Sequence, residues 1–120
     1  RRKIASIYLK ELKNDERFIL PKEKLNYYHS YHIFPLQVNF DKIKIDKQEL
    51  FKRFKKKGIN LQVHYIPIHL QPFYKKKFGY KVNQFPNAEK FYRNEISLPI
   101  YPELKFDDLY KVIDELLSIK

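Results

Sequence analysis

The chain has 120 residues, of which 43% are hydrophobic and 17% aromatic, so it can form one folded domain and is too apolar for a disordered tail. It contains no cysteine, which excludes disulfides, thiolate metal sites and a cysteine nucleophile. Its formal net charge of +11 is compatible with nucleic-acid binding and is equally typical of a lysine-rich solvated surface.

The first residues predict a helix that is already under way at Arg1. Ile4, Tyr8 and Leu12 recur at helical spacing, and no N-cap residue stands ahead of them. We therefore expect a helix over residues 1–14 and expect the chain to be the C-terminal part of a longer protein. No apolar run approaches the ~20 residues of a membrane helix, and no signal peptide is visible, so the cytoplasm is the default compartment.

A loop up to residue 30 and a strand over 32–40 come next. The strand is predicted from alternating apolar residues, namely Phe34, Leu36, Val38 and Phe40. Because Pro35 cannot donate a hydrogen bond to a neighbouring strand, we expect this strand to lie at a sheet edge or to be bulged near its start.

The next segment predicts a helix and then a second strand. Asp46 with Glu49 three residues later is a capping pattern, and Gly58 after three lysines is typical of a helix end. The helical position explains the lysine run 55–57 locally. Alternation then predicts a strand over 60–66, with Leu61, Val63 and Tyr65 on one face.

The last third of the chain predicts a long loop, a short helix, a strand and a final helix. Prolines at 67 and 72 favour a loop to about residue 85. The short helix begins near Pro86 with Asn87 as its cap, and Pro99 suits an edge strand over 96–100. Asp107 is expected to cap the last helix, whose apolar stripe consists of Leu109, Val112, Ile113, Leu116 and Leu117.

This order of elements predicts a small α/β arrangement, similar to an α+β domain, in which helices flank a small sheet. The chain offers no complete catalytic or metal site of its own. His64 and His69 are separated by a proline and have no carboxylate near them in sequence, no serine lies in a hydrolase elbow, and every lysine has a polar sequence context.

The polar stretch VHYIPIHLQPFY, at 63–74, is the best candidate site. It brings hydrogen-bonding side chains together on a segment stiffened by proline, and such a set suits a sugar or phosphate ligand: His64, Tyr65, His69, Gln71 and Tyr74. Singly, each could be an ordinary packing residue. The competing hypothesis is a basic nucleic-acid-binding module, in which the lysine runs 55–57 and 75–77 contact phosphates and nearby aromatic rings stack on bases.

Two segments carry a resemblance to a known family. The sequences GINLQVHYIPIHLQPFYKKKFGY (58–80) and FPNAEKFYRNEISLPIYPEL (85–104) resemble the C-terminal part of the DegT/DnrJ/EryC1/StrS family of pyridoxal-phosphate-dependent sugar aminotransferases. The similarity extends to 1–12, 29–38 and 107–116, so it covers nearly the whole chain. Within the family, it looks closest to the bacterial transaminases of the pseudaminic acid route, which aminate a UDP-linked 4-keto-6-deoxy-hexosamine.

The resemblance implies that the chain is the small C-terminal domain of a fold-type-I aminotransferase, with 1–14 as the end of an interdomain helix. The parent enzyme would transfer an amino group, typically from glutamate, to C4 of the keto sugar and would act as a homodimer. The large domain would supply the lysine that anchors pyridoxal 5'-phosphate and most contacts to that cofactor. Accordingly, no catalytic or cofactor-binding residue is expected in this chain, and the isolated chain should be inactive.

The resemblance also gives roles to the candidate residues. His64 and Tyr65 would line the edge of the pocket, and His69, Gln71 and Tyr74 would border the channel for the nucleotide sugar. We further expect the large domain and a partner subunit to cover Ile4, Tyr8 and part of the stretch 63–74.

Overall fold

The computed structural model describes all residues, 1–120, and shows an α+β domain with five helices and a three-stranded antiparallel sheet. The helices are α1 (Arg2–Leu12), α2 (Lys47–Lys56), α3 (Pro72–Phe78), α4 (Pro86–Asn94) and α5 (Phe106–Leu117). The strands are β1 (Phe18–Ile19), β2 (Phe34–Val38) and β3 (Glu95–Leu98). Single 3₁₀ turns occur at Phe40–Lys42 and Ile68–Leu70. The predicted small sheet flanked by helices is confirmed.

The sheet order is β1-β2-β3, so β2 is the middle strand and its predicted edge position is wrong. Pro35 is tolerated there for a local reason. It faces Ser97 of β3, and the backbone of Ser97 turns its N–H and C=O to Gln62 on the other side. Pro35 and Ser97 therefore form a non-hydrogen-bonded pair, and the nitrogen of Pro35 points towards β1. Because β1 pairs only with Gln37 and Val38, it has ended before reaching Pro35.

One hydrophobic core of 23 buried residues joins the helices to the sheet. Helix α1 contacts α5, and the ring of Tyr8 lies 4.9 Å from that of Phe34 on β2. The Tyr8 hydroxyl donates a hydrogen bond to the carbonyl of Pro99 at 3.0 Å, and burial raises its pKa above the ordinary value. Ile4 and Tyr8 are thus buried within the chain itself, which corrects the expectation that other parts of the protein cover them.

Helix α2 is formed as the sequence predicts. The side chain of Asp46 accepts a hydrogen bond from the backbone N–H of Glu49 at 2.8 Å, which satisfies one of the free donors of the first turn. Leu50 and Phe54 are fully buried on its inner face, and the helix stops before Gly58, which has a φ of 75°.

The segment between α2 and α4 differs most from the prediction. The expected strand over 60–66 is reduced to a single bridge in which Gln62 pairs with Ser97, and the expected loop contains α3. Pro72 starts that helix instead of breaking the chain, because a proline at the first helical position loses no hydrogen bond. The strand β1, within the predicted first loop, was also missed, because its two residues are too few to show an alternating pattern.

Two predicted caps are wrong although their helices are confirmed. Helix α4 begins at Pro86 and its N-cap is Phe85, so Asn87 lies inside the first turn. Helix α5 begins at Phe106 after Lys105, so Asp107 lies in the first turn. There its negative charge interacts favourably with the helix dipole, but its side chain does not cap the helix. In the stripe of α5, Leu117 is 41% exposed while the other four residues are buried. Pro99 follows β3, which is an edge strand of the sheet as predicted.

Candidate substrate-binding site

The stretch 63–74 leaves the sheet immediately after the Gln62 bridge. Two backbone hydrogen bonds, of 2.8 and 3.2 Å, hold Gln62 beside Ser97. Leu61 is buried on the inner side, whereas the residues that follow turn outwards to the surface. The site is therefore a surface segment whose first residues are fixed by β3.

His64 is bound to two side chains of β3. Its backbone N–H donates to Oε2 of Glu95 at 3.1 Å, and its ring atom Nδ1 lies 2.8 Å from Oγ of Ser97. Ser97 in turn donates its hydroxyl proton to Oε1 of Glu95. Glu95 is fully buried, so these donors replace the water that a carboxylate needs. This network fixes the ring of His64 at the surface.

Tyr65 is the most exposed of the candidate residues. Its side chain is 75% exposed, and its ring meets that of His64 edge-on at 4.7 Å between centroids. Ile66 and Ile68 beside it are also exposed, at 50% and 62%. The segment thus presents a mixed aromatic and aliphatic surface next to the half-buried imidazole.

His69 is buried, unlike the other candidates. Its Nε2 atom donates to Oε1 of Glu89 on α4 at 2.9 Å, and the backbone N–H of Asn83 donates to Oε2 at 3.0 Å. The hydrogen bond from His69 is the main cause that lowers the pKa of Glu89, and the backbone donors Asn83 and Phe85 add to it. The geometry makes His69 a link between the candidate segment and α4, with no exposed ring face for a ligand.

Gln71 and Tyr74 lie at the start of α3. The side-chain amide of Gln71 reaches the carbonyl of Ile66 at 3.4 Å, which closes the turn between them. The ring of Tyr74 packs against Phe73 and Phe78, at 5.2 and 6.1 Å between centroids, and its hydroxyl bonds no group of this chain. The structure therefore leaves Tyr65 exposed, His64, Gln71 and Tyr74 half-buried, and His69 buried.

The sequence interpretation missed the two buried glutamates and Ser97. Glu89 and Glu95 are the only acidic side chains among the buried residues, and each has a histidine partner in the candidate segment. A usable signal was present in the stretch EISLP, because a charged residue that opens an apolar strand must be paired when the strand is buried.

A basic groove of about 640 Å³ includes Val63, the first residue of the candidate segment, in its lining. Its lining includes the cations Lys47, Lys52 and Arg93 and the ring of Tyr92. Lys47 is half-buried and donates to the carbonyl of Tyr92 at 2.7 Å. Burial lowers the pKa of Lys47, and the negative charge of Glu95 opposes that shift. This lysine corrects the interpretation that every lysine has a polar environment.

No three side chains of histidine, aspartate or glutamate are grouped closely enough in this chain to hold a metal ion. None of the helices has the length and apolar character needed to cross a membrane.

Comparison with known proteins identifies the family. A sequence model of the DegT/DnrJ/EryC1/StrS aminotransferase family matches residues 1–117. The chain belongs to this family. The stretch 63–74, α4 and β3 therefore lie within the part of the chain that the family shares.

Relatives within the DegT/DnrJ/EryC1/StrS family agree with this result. Protein MJ1066 of Methanocaldococcus jannaschii is 45% identical over 119 residues, which are 99% of this chain and 31% of that protein. The UDP-4-amino-4,6-dideoxy-N-acetyl-beta-L-altrosamine transaminase of Campylobacter jejuni is 37% identical over 119 residues, again 99% of this chain and 31% of the relative. The chain thus spans about a third of the length of these proteins.

A solved structure confirms the fold independently. Helicobacter pylori PseC, an aminotransferase of pseudoaminic acid biosynthesis, superposes with a TM-score of 0.85 at 26% sequence identity, over 98% of this chain and 31% of PseC. The α+β arrangement is therefore that of a part of a sugar aminotransferase.

Proposed function

We propose that the protein to which this chain belongs is a pyridoxal-phosphate-dependent aminotransferase that acts on a UDP-linked 4-keto-6-deoxy-hexosamine. The observation that carries the proposal is the family match over 1–117, together with the C. jejuni transaminase, 37% identical over 119 residues. Within the proposal, the amino donor is glutamate and the product is a nucleotide-linked amino sugar for surface polysaccharide, such as a pseudaminic acid precursor.

In this proposal the 120 residues form the small C-terminal domain, and a large domain outside them completes the active site. Residues 1–14 are the end of the connection between the two domains. The extent of the relatives supports this division, because the chain covers only 31% of each. A homodimer in the cytoplasm is part of the same proposal, and a chain without cysteine fits a reducing compartment.

The residues of this chain do not fit a pyridoxal-phosphate site by themselves. The cofactor needs a lysine amine for its carbonyl and a carboxylate for its ring nitrogen. Lys47 is the one lysine whose pKa is lowered by burial, but its amine already donates to the carbonyl of Tyr92 and its groove has no carboxylate in the lining. We therefore propose that the large domain holds the cofactor, which would supply the electron sink for amino transfer.

The role we propose for this chain is to form one wall of the substrate pocket. Tyr65, the most exposed of the candidates, would contact the nucleotide sugar directly, and the half-buried Gln71 and Tyr74 would contact it from the start of α3. His64 would contribute from the half-buried position beside Tyr65. His69 would act by holding the segment against α4 through Glu89.

Tyr74→Phe in the full-length protein tests this wall. The substitution removes a hydroxyl that bonds no group of this chain, so it should leave the fold unchanged. Losing one hydrogen bond to the substrate should raise the KM for the UDP-keto sugar by about fivefold, with cofactor absorbance and the half-reaction with glutamate retained. Tyr110→Phe on α5, which removes the hydroxyl of a tyrosine that is 44% exposed, is the matched control. Loss of the cofactor in Tyr74→Phe would mean that this segment lies on the cofactor side instead.

The isolated chain provides a second test. Mixed with pyridoxal phosphate, purified residues 1–120 should show no stoichiometric absorbance band that an amino donor removes, because the anchoring lysine lies elsewhere. Exposed lysines give only weak, non-saturating colour, so stoichiometry decides the result. A saturable, donor-sensitive band would contradict the proposed division of the protein.

A further inference from the structure

A hydrogen-bond network formed by Glu95, Ser97 and His64 connects a buried carboxylate to a half-buried imidazole. Glu95 is fully buried and receives the hydroxyl of Ser97 at Oε1 and the backbone N–H of His64 at Oε2. Ser97 Oγ is also 2.8 Å from Nδ1 of His64. The other ring nitrogen of His64, Nε2, is bonded to no protein group, and the ring is only half-buried.

The positions of the protons follow from the number of donors and acceptors. An ionised carboxylate only accepts hydrogen bonds, so Ser97 must give its single hydroxyl proton to Glu95. The contact between Ser97 Oγ and His64 then requires a proton on Nδ1 of the imidazole. A neutral imidazole has one N–H, and so Nε2 of His64 must carry a lone pair.

Two features support an ionised Glu95. Both of its oxygens receive donors, which is the arrangement that favours the charged form. In addition, the amine of Lys47 lies near Glu95, and a nearby cation favours the charged form of a carboxyl group. A protonated Glu95 would reverse the two hydrogen bonds at the Ser97 hydroxyl and place the proton of His64 on Nε2, while the backbone N–H of His64 would still donate to Oε2.

We infer that Glu95 and Ser97 hold His64 in the Nδ1–H tautomer so that Nε2 accepts a hydrogen bond from a hydroxyl or N–H group of the substrate. This inference rests on the proposed function for the kind of substrate. A lone pair at Nε2 attracts the donors of a sugar ring or its N-acetyl group and repels the oxygens of a diphosphate. His64 is therefore a substrate-binding residue for the sugar part of the nucleotide sugar, and Glu95 and Ser97 are positioning residues that act through it.

His69 offers an internal contrast. Its Nε2 atom faces the carboxylate of Glu89 and must carry a proton, which is the opposite arrangement to His64. The two histidines of one short segment are thus expected to differ at the same ring atom, and a single spectrum can compare them.

The test is nitrogen NMR of the full-length protein with ¹⁵N-labelled histidine, at about pH 8.5, where an ordinary imidazole is neutral. His64→Gln assigns the signals of His64 by their loss. We expect an unprotonated Nε2 for His64 and a protonated Nε2 for His69. A protonated Nε2 in His64 of the unsubstituted protein would overturn the inference, and His64→Gln serves only to assign the signal.

The variant Glu95→Gln gives a second test of the tautomer of His64. The amide has one oxygen, which the backbone N–H of His64 requires, so its NH₂ group must donate to Ser97. Ser97 then donates to Nδ1 of His64, and the ring proton moves to Nε2. We expect this exchange of tautomers in Glu95→Gln, and its absence would refute the relay. Ser97→Ala should also release the Nδ1–H tautomer, because Nδ1 loses its acceptor.

Two probes test which ligand group His64 receives. UDP-N-acetylglucosamine offers hydroxyl and amide donors and should shift the Nε2 signal of His64, whereas inorganic pyrophosphate offers acceptors and should not. A response to pyrophosphate alone, or none to the sugar nucleotide, would overturn the assignment. Neither readout needs turnover. If the protein had no aminotransferase activity, the proposed function would be wrong, but the result on the tautomer of His64 would still hold.

Discussion

The pair His69–Glu89 shows how one buried carboxylate can fix the candidate segment. Glu89 is 3% exposed, yet it keeps hydrogen bonds from the His69 ring and from the backbone of Asn83. Since a buried charge without such partners costs several kcal/mol, the carboxylate constrains both the segment that carries His69 and the loop that carries Asn83. The position of Tyr74, five residues beyond His69, depends on this link.

The lowered pKa of Glu89 predicts acid sensitivity. A carboxyl whose pKa is lower in the folded state stabilises the fold above its unfolded pKa and loses that contribution as the pH falls through the folded value. Between about pH 5 and pH 3, hydrogen-exchange protection of residues 64–89 should fall more steeply in the unsubstituted full-length protein than in Glu89→Gln. Protection factors from exchange mass spectrometry measure the difference. Parallel pH dependence in the two proteins would contradict the role of this pair.

The sequence indicated the candidate segment but neither the burial of His69 within it nor the partners of its histidines. Tyr65, Gln71 and Tyr74 could be named because prolines and polar residues together indicate a stiff surface segment. Glu95 could not, because its partner His64 is 31 positions away, and a one-dimensional pattern does not show that the two residues meet. The substrate contacts of these residues stay a prediction.

Helices and strands with a strong local sequence pattern were predicted correctly, and those with a weak pattern were not. Helices α1, α2 and α5 repeat apolar residues over several turns, and all were predicted. Helix α3 has seven residues, which is too short for a periodic stripe, and the strand expected over 60–66 pairs at one residue only. The middle position of β2 was missed because the sequence gives no information on how early β1 ends.

Gly79 predicts a conformational effect on α3. Its φ is 68°, a left-handed conformation in which the helix ends with the N–H of Gly79 bonded to the carbonyl of Lys75. Nothing lies within 4 Å of the position of an added Cβ, so Gly79→Ala tests backbone strain without steric overlap. We expect α3 to lose about 1 kcal/mol in the full-length protein, seen as faster amide exchange over residues 72–79.

Gly79→Asn is the matched variant, because asparagine adopts the left-handed conformation more readily than alanine. It should restore part of the protection that Gly79→Ala loses. Equal protection in all three proteins would mean that the left-handed end contributes nothing measurable to the stability of α3.

At the scale of the whole molecule, the charge of +11 is spread over a surface that also carries exposed aromatic rings. The amine of Lys77 lies 5.5 Å from the ring centroids of both Phe73 and Phe78, which is an arrangement that could stack a base and contact its phosphate. The lysine run 55–57, in contrast, ends α2. Family membership favours a surface that contacts other parts of an aminotransferase, so nucleic-acid binding is the alternative that needs a direct test.

Salt dependence distinguishes the two hypotheses. When a protein neutralises phosphates, the logarithm of its affinity falls with the logarithm of the salt concentration, with a slope of about 0.9 for each phosphate. A dedicated nucleic-acid binder nevertheless keeps measurable affinity at physiological ionic strength. For the full-length protein with labelled RNA or DNA, we expect weak, sequence-independent binding that disappears near 0.15 M salt, at roughly an 8 Å screening length.

The expected result in variants follows from the same argument. Replacing Lys55, Lys56 and Lys57 by glutamine should weaken the low-salt binding no more than replacing Lys13, Lys22 and Lys24, which are equally exposed and lie outside both runs. A non-specific surface responds to the number of charges removed and not to their position. Tight binding that survives 0.15 M salt and is lost only when the run 55–57 is neutralised would show that this surface recognises nucleic acid, and the aminotransferase assignment would then need a second function beside it.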